Sequence, residues 1–217
     1  MKTGILFAAK PEAAALLSSG FFGWKKIGNG FYDSRKTNSI LCISGIGQEK
    51  AAKSFSELAQ ECGKIFILGT CAALVPELPV FTFCLPNLVV RHEDSTQTFM
   101  PDSELSAKLM TILSSLKINF RTELKIATID NVITSKEQAQ DLYCKTNASI
   151  ADMESATLLR QAAVHHIPTA ILKAVSDNPA AGISPFDKSK NSSLNKWAEN
   201  TAKISADFLA IVKLLLS

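Results

Sequence analysis

Apolar residues along this chain fall into two kinds of run. Short, nearly unbroken ones at Ile5–Ala8, Ser39–Ser44, Ile65–Leu68, Phe81–Val90, Leu124–Ile129 and Thr169–Val175 predict buried strands. Longer stretches repeat at helical spacing. In Glu49–Cys62, residues Ala52, Phe55, Leu58, Ala59 and Cys62 share one face, and Gly63 is placed to stop the helix. Further helices are predicted over Glu12–Leu17, opened by Pro11, and over Asp102–Leu116, Ser135–Tyr143 and Leu194–Leu215. Gly20–Tyr32, rich in glycine and aromatics, predicts a turn and hairpin. Gly69-Thr-Cys-Ala-Ala73 predicts a loop of small residues, and Asn178–Asn191 a longer loop. Strands alternating with helices of this length argue for an α/β fold with a mixed or parallel sheet.

The most informative unit is residues 151–179. Asp152 is suited to cap a helix, Met153, Ala156, Leu159 and Ala163 recur at helical spacing, and the helix runs out at His165-His166. Pro168 and a mostly apolar strand follow, with Asp177 just past its end. Ligands of open α/β sheets bind beyond the carboxyl ends of strands, which is where Asp177 falls. Two readings of Asp177 stay open on spacing alone: a catalytic acid, or a turn former in Asp177-Asn178-Pro179. Glu154 is equally open, because the helix dipole alone favours an acid near a helix start.

Composition narrows the field. At 217 residues one domain spanning 1–217 is expected, with no linker or internal repeat to divide it. The net charge of +3 comes from scattered lysines, so no nucleic-acid partner is implied. Lys10 and Glu12 interrupt the N-terminal apolar run too early for a signal peptide, and no run approaches the ~18 apolar residues of a membrane span. The five cysteines, at 42, 62, 71, 84 and 144, have neither C-x-x-C nor metal-ligand spacing. No metal and no cofactor are expected, and the odd count suits reduced thiols in a cytoplasmic setting. His92 suggests no chemistry. Ser44-Gly-Ile-Gly47 lacks the following lysine of a phosphate loop.

The ordered set Ala8–Glu12, Ser44–Gly47, Gly69–Ala73, Asp152-Met-Glu-Ser155 and Val175-Ser-Asp177 resembles the nucleoside phosphorylase/nucleosidase superfamily over essentially the whole chain. The resemblance is nearest to bacterial methylthioadenosine/S-adenosylhomocysteine nucleosidases and their futalosine hydrolase and hopanoid-type relatives. It implies a three-layer α/β/α domain around a central mixed sheet, a purine nucleoside substrate and a homodimer. It also implies roles. Asp177 is the acid that protonates the leaving base, with Ser176 orienting it. Glu12 is the base that takes a proton from water. Glu154 grips the ribose hydroxyls, Met153 packs on the sugar, and Phe186 belongs to a base-covering loop.

Several positions depart from the nucleosidase pattern. Thr70-Cys71-Ala72-Ala73 replaces a Ser-Ala-Gly-Gly run, which keeps a hydroxyl but narrows the space by the substrate. Lys173 stands where an arginine is usual, and Val132 where an aromatic often stacks on the base. Phe81-Thr82 stands in place of a Gly-Asp. Phosphorylases of the superfamily carry an arginine two residues before the small-residue glycine. Ile67 is there, which favours water over phosphate as the nucleophile, with Lys10 and Lys173 as the cations left to compensate. Alternatives are a futalosine hydrolase, a hopanoid-type phosphorylase and a non-catalytic nucleoside binder; retention of Glu12, Glu154 and Asp177 argues against the last.

Overall fold

The computed structural model describes residues 1–186 and 194–217. Its centre is β1 (Lys2–Phe7), flanked by parallel β4 (Ser39–Ile43) and β5 (Cys62–Ala73). A hairpin of β2 (Lys25–Gly28) and β3 (Phe31–Ser34) extends the sheet antiparallel beyond β4. On the other side β5 pairs parallel with β10 (Thr169–Asp177). The pairings then run through β6 (Phe83–Arg91), β8 (Phe120–Thr128) and β9 (Ile150–Asp152) back to the end of β5. This part of the mixed sheet therefore closes on itself. The short β7 (Thr98–Phe99) hangs on β6.

Helices cover both faces. On one side α2 (Gln48–Ala59) and α5 (Ser155–His165) pack together, burying Phe55, Leu58, Leu158 and Leu159 against Ile65, Ile67 and Ile171. On the other, α1 (Ala14–Ser18), α3 (Ser103–Ser115) and α6 (Leu194–Leu215) bury Leu16, Leu109, Phe208 and Ile211 against Ile5, Phe7, Phe66 and Leu172. Phe208 stacks edge-on against both Phe7 and Phe83 at 5.4 Å, tying the last helix to the sheet. A smaller cluster under α4 (Lys136–Thr146) joins Ala139 and Leu142 to Ile129 and Ile133. The three-layer α/β/α architecture and the central mixed sheet match the expectation.

Four local expectations need correction. The stretch Gly69–Ala73 is not a loop: it continues β5, because its residues keep pairing with β10 and then with β9. Gly63 likewise lies in β5, and the preceding helix stops at Ala59. The expected cap holds: Asp152 ends a strand, and its carboxylate accepts the N–H of Ser155, the first residue of the helix, at 3.2 Å. The first helix begins as a tight 3-10 turn over Lys10–Ala13. Of the expected loop over 178–191, Pro179–Ala181 form another 3-10 turn, and 187–191 lie outside the described residues.

The candidate active site

Strand ends deliver the carboxylates. Two residues past β1, the chain turns through Ala9 into the 3-10 turn that carries Glu12, whose side chain is 3% exposed. Its carboxylate is fixed by three donors: the Ala9 N–H at 2.9 Å, the Thr70 N–H at 2.7 Å and the Thr70 hydroxyl at 2.8 Å. Gly69 leaves room for this. A Cβ there would stand 3.0 Å from Glu12 Oε1. Glu154 lies between β9 and α5, and its Oε1 accepts the Gly47 N–H at 2.9 Å. Gly47 has φ of 103°, which aims that N–H inward and strains any residue with a Cβ. Asp177 ends β10. Ser176 Oγ donates to its Oδ1 at 2.7 Å, and the Ser176 carbonyl is held by Asn200 Nδ2 of α6 at 2.8 Å.

These groups line one cavity of about 650 Å³, its open mouth included, a size that suits a nucleoside-sized ligand. Met153, Ser176, Thr70, Cys71, Val132 and Phe186 join Glu12, Glu154 and Asp177 in its walls. Of the residues expected at the site, Lys173 is the exception. The residue is 2% exposed, its ammonium pairs with Asp152 Oδ2 at 2.8 Å, and it is not among the cavity-lining residues. As the sequence reading has it, the position faces substrate; β10 instead turns it to the face where Asp152 waits. Lys10 is exposed and absent from the walls.

Burial sets the electrostatics. It pushes Asp177 up to about 6, the Ser176 hydroxyl pulling the other way. It pushes Glu154 up to about 7, reinforced by the negative charge of Asp152 and opposed by Lys173 and the Gly47 N–H. Burial alone would lower Lys173, but Asp152, Glu154 and Glu12 outweigh it and keep the lysine charged. Burial and the neighbouring Cys84 raise Cys71 well above the ordinary thiol value, so it is a poor nucleophile. Two buried carboxyls poised near neutrality in one cleft can divide acid and charge-stabilising roles.

Among the described residues, three metal-type ligand atoms come together at His92, Glu93 and Asp130, none of them a cavity-lining residue. His92 Nδ1 lies 3.1 Å from the Thr128 carbonyl, and Gln48 Nε2 donates to Asp130 at 2.6 Å. All five cysteines are free, and among the described residues no helix is long and apolar enough to cross a membrane.

The profile of the phosphorylase superfamily matches residues 30–212. The chain belongs to that superfamily.

Its relatives within the superfamily include the aminodeoxyfutalosine nucleosidases of Helicobacter pylori and Campylobacter jejuni. Each is 26% identical over 96% of this chain and 96% of its own length. The purine nucleoside phosphorylase of Plasmodium vivax is 26% identical over 81% of this chain. A futalosine hydrolase mutant of H. pylori superposes with a TM-score of 0.83 at 23% identity, over 98% of this chain and 99% of its own. An H. pylori methylthioadenosine/S-adenosylhomocysteine nucleosidase mutant, holding 5′-methylthioadenosine in its active site, gives 0.82 at 24% over 98% of each chain. These superpositions confirm the fold.

Sequence reasoning missed several walls of this superfamily member's cavity: Ile46, Ile129, Ile133 and Trp197. The isoleucines carry no chemical signal and read as core. Trp197 had one, since it is one of two tryptophans and opens the buried stripe of α6, but its distance in sequence from Asp177 hid it.

Proposed function

We propose that this chain hydrolyses the N-glycosidic bond of a purine nucleoside, with water as the nucleophile. The single observation carrying the reading is the placement of Glu12, Glu154 and Asp177 in one cleft. The relatedness to aminodeoxyfutalosine nucleosidases along the whole chain supports it. Protonated Asp177 gives its proton to an imidazole nitrogen of the base as the C1′–N bond breaks and its electron pair leaves with the base. Glu154, hydrogen-bonded to the ribose hydroxyls, stabilises the oxocarbenium-like sugar. Met153 packs on the ribose. Glu12 takes a proton from water as the water oxygen bonds to C1′, giving free base and free sugar. General acid and general base steps each typically supply about 10²–10⁴-fold.

Water is favoured over phosphate because the described cavity walls hold no arginine or lysine, while four carboxylates (Glu12, Asp152, Glu154 and Asp177) border them. An incoming phosphate would meet like charge with no fork of donors to receive it. The experiment is base release from methylthioadenosine, adenosylhomocysteine, adenosine, inosine and futalosine, with and without phosphate. The expected result is near-full rate in phosphate-free buffer with free sugar as product. Strict phosphate dependence with a sugar 1-phosphate would overturn it in favour of a phosphorylase.

The functional reading includes a cytoplasmic homodimer. The segment Val75–Phe83 is rich in apolar residues for a connecting stretch, but it buries Leu78, Thr82 and Phe83 within the chain, which leaves Phe81 as its large exposed apolar side chain. Ile46 and Val132, both cavity-lining, are 52% and 45% exposed, so the apolar rim of the mouth is the stronger reason for a partner. Light scattering at micromolar concentration is expected to give twice the 23.4 kDa chain mass. A monomeric mass would count against assembly.

A further inference from the structure

Helix α6 carries one continuous buried stripe. Asn200, Thr201, Ile204, Ser205, Phe208, Ile211, Val212 and Leu215 recur at the spacing of one helical face. Extended one turn towards the helix start, that face reaches Trp197. Its neighbours Lys196, Ala198 and Glu199 are exposed, whereas Trp197 is half-buried and lines the cavity. The stripe leaves the protein core at this residue and enters the site.

Its place within the site is set by Asn200. Three residues on from Trp197, on the same face, Asn200 donates to the Ser176 carbonyl at 2.8 Å. Trp197, one helical turn before Asn200, is thereby brought to the β10 end of the cavity, where Asp177 stands. Val132, Ile133 and Ile129 in the walls offer only aliphatic surface, and Phe186 is the other aromatic among the described lining residues. A purine ring has two flat faces that bind best to an aromatic plane, worth about a tenfold or larger gain in affinity per stacked base.

We propose that Trp197 is the stacking face for the purine base and a specificity-determining residue of this site. The inference rests on the nucleosidase reading above. It explains how a cavity with valine at position 132 grips a base: the aromatic plane arrives from α6. It also ties base recognition to the acid, since one helix face positions both Trp197 and, through Asn200, the Ser176–Asp177 strand end.

The test uses emission and kinetics together. Trp24 is the other tryptophan, packed 5.2 Å from Phe22 and absent from the cavity walls. Trp24→Phe therefore leaves Trp197 as sole indole reporter. Titration with adenine is expected to quench its emission saturably. Trp197→Ala is expected to raise KM and the adenine dissociation constant about tenfold or more with kcat within about threefold, and Trp197→Phe to restore most of the loss. A merely structural tryptophan would give no ligand-dependent quench and no rescue pattern confined to KM. If the wild-type chain binds adenine by calorimetry but Trp197 emission stays unchanged, or Trp197→Ala binds within twofold, the stacking role is overturned alone. If the wild type binds no purine and releases none from any nucleoside, the functional reading falls and this role with it.

Discussion

Asp177→Asn is expected to lower turnover by at least about 100-fold while making the protein more stable at neutral pH. The loss follows from chemistry: an amide has the shape of the acid but cannot deliver a proton to the leaving base, and such a group supplies about 10²–10⁴-fold. The gain follows from burial. Asp177 is 4% exposed, and its carboxyl is displaced from an ordinary 3.8 to about 6 by loss of solvent. The fold therefore holds this proton more tightly than the open chain. That contribution is fully present below about pH 4 and is lost as pH rises through about 6. Above it, an ionised buried carboxylate costs up to about 3 kcal/mol, which the neutral amide avoids. In a chain of this size each kcal/mol moves Tm by roughly 2–4 °C. Melting curves of Asp177→Asn should run several degrees above wild type at pH 8 and coincide with it near pH 4. Hydrolysis within tenfold of wild type would remove Asp177 as the acid. An unchanged Tm at pH 8 would show that the buried carboxyl carries no penalty.

Much of this site was legible in the sequence because strand ends are legible. A run such as Thr169–Val175 declares itself by apolar content, and whatever polar group follows it must stand at the sheet's carboxyl edge. Glu12 follows the run Ile5–Ala8, but its role came from the family resemblance and not from its place after a strand. What failed was anything decided by pairing. Ile150–Asp152 is too short a run to announce a strand, and it exists because β8 and the end of β5 offer it partners. Gly69–Ala73 has turn composition but stays extended for the same reason, with β10 along one edge. Small residues were needed there to admit the Glu12 carboxylate, and sequence reads that need as flexibility.

Lys173 shows the limit most clearly. Seen as a residue type beside Ser176-Asp177, it looks like an anion receptor. Regular alternation would put it and Asp177 on one face of β10, but the register shifts between Val175 and Asp177 and separates them. Asp177 lines the cavity, whereas Lys173 does not and pairs with Asp152, itself anchored by Ser155 and Thr128. The lysine is set among three buried acids, Asp152, Glu154 and Glu12. Its role in the fold is to keep that many carboxylates together, since breaking a buried pair leaves an uncompensated charge that costs about 3–5 kcal/mol. A charge placed to hold Asp152 is unavailable to a phosphate, which joins the chemistry of the nucleophile to the packing of the core.

Glu12→Gln is expected to cost at least about 100-fold in hydrolysis, with adenine affinity within a few-fold of wild type. The amide cannot accept the proton of the attacking water, and in the proposed reading the base binds at the Asp177 end of the cleft. The geometry adds a second effect. Oε1 receives both Thr70 donors and Oε2 receives the Ala9 N–H. A glutamine keeps its oxygen on Thr70 only by turning its NH2 towards the Ala9 N–H, donor against donor, at about 1–3 kcal/mol. Glu12→Gln should therefore destabilise, opposite in sign to Asp177→Asn at neutral pH. Glu12 also helps to hold Glu154 near 7, so removing its charge should move the Glu154 titration to lower pH. Single-turnover rates, a melting curve and the pH dependence of kcat/KM test the three effects separately. Hydrolysis within tenfold of wild type, or a switch to ribose 1-phosphate as product, would overturn Glu12 as the group that activates water.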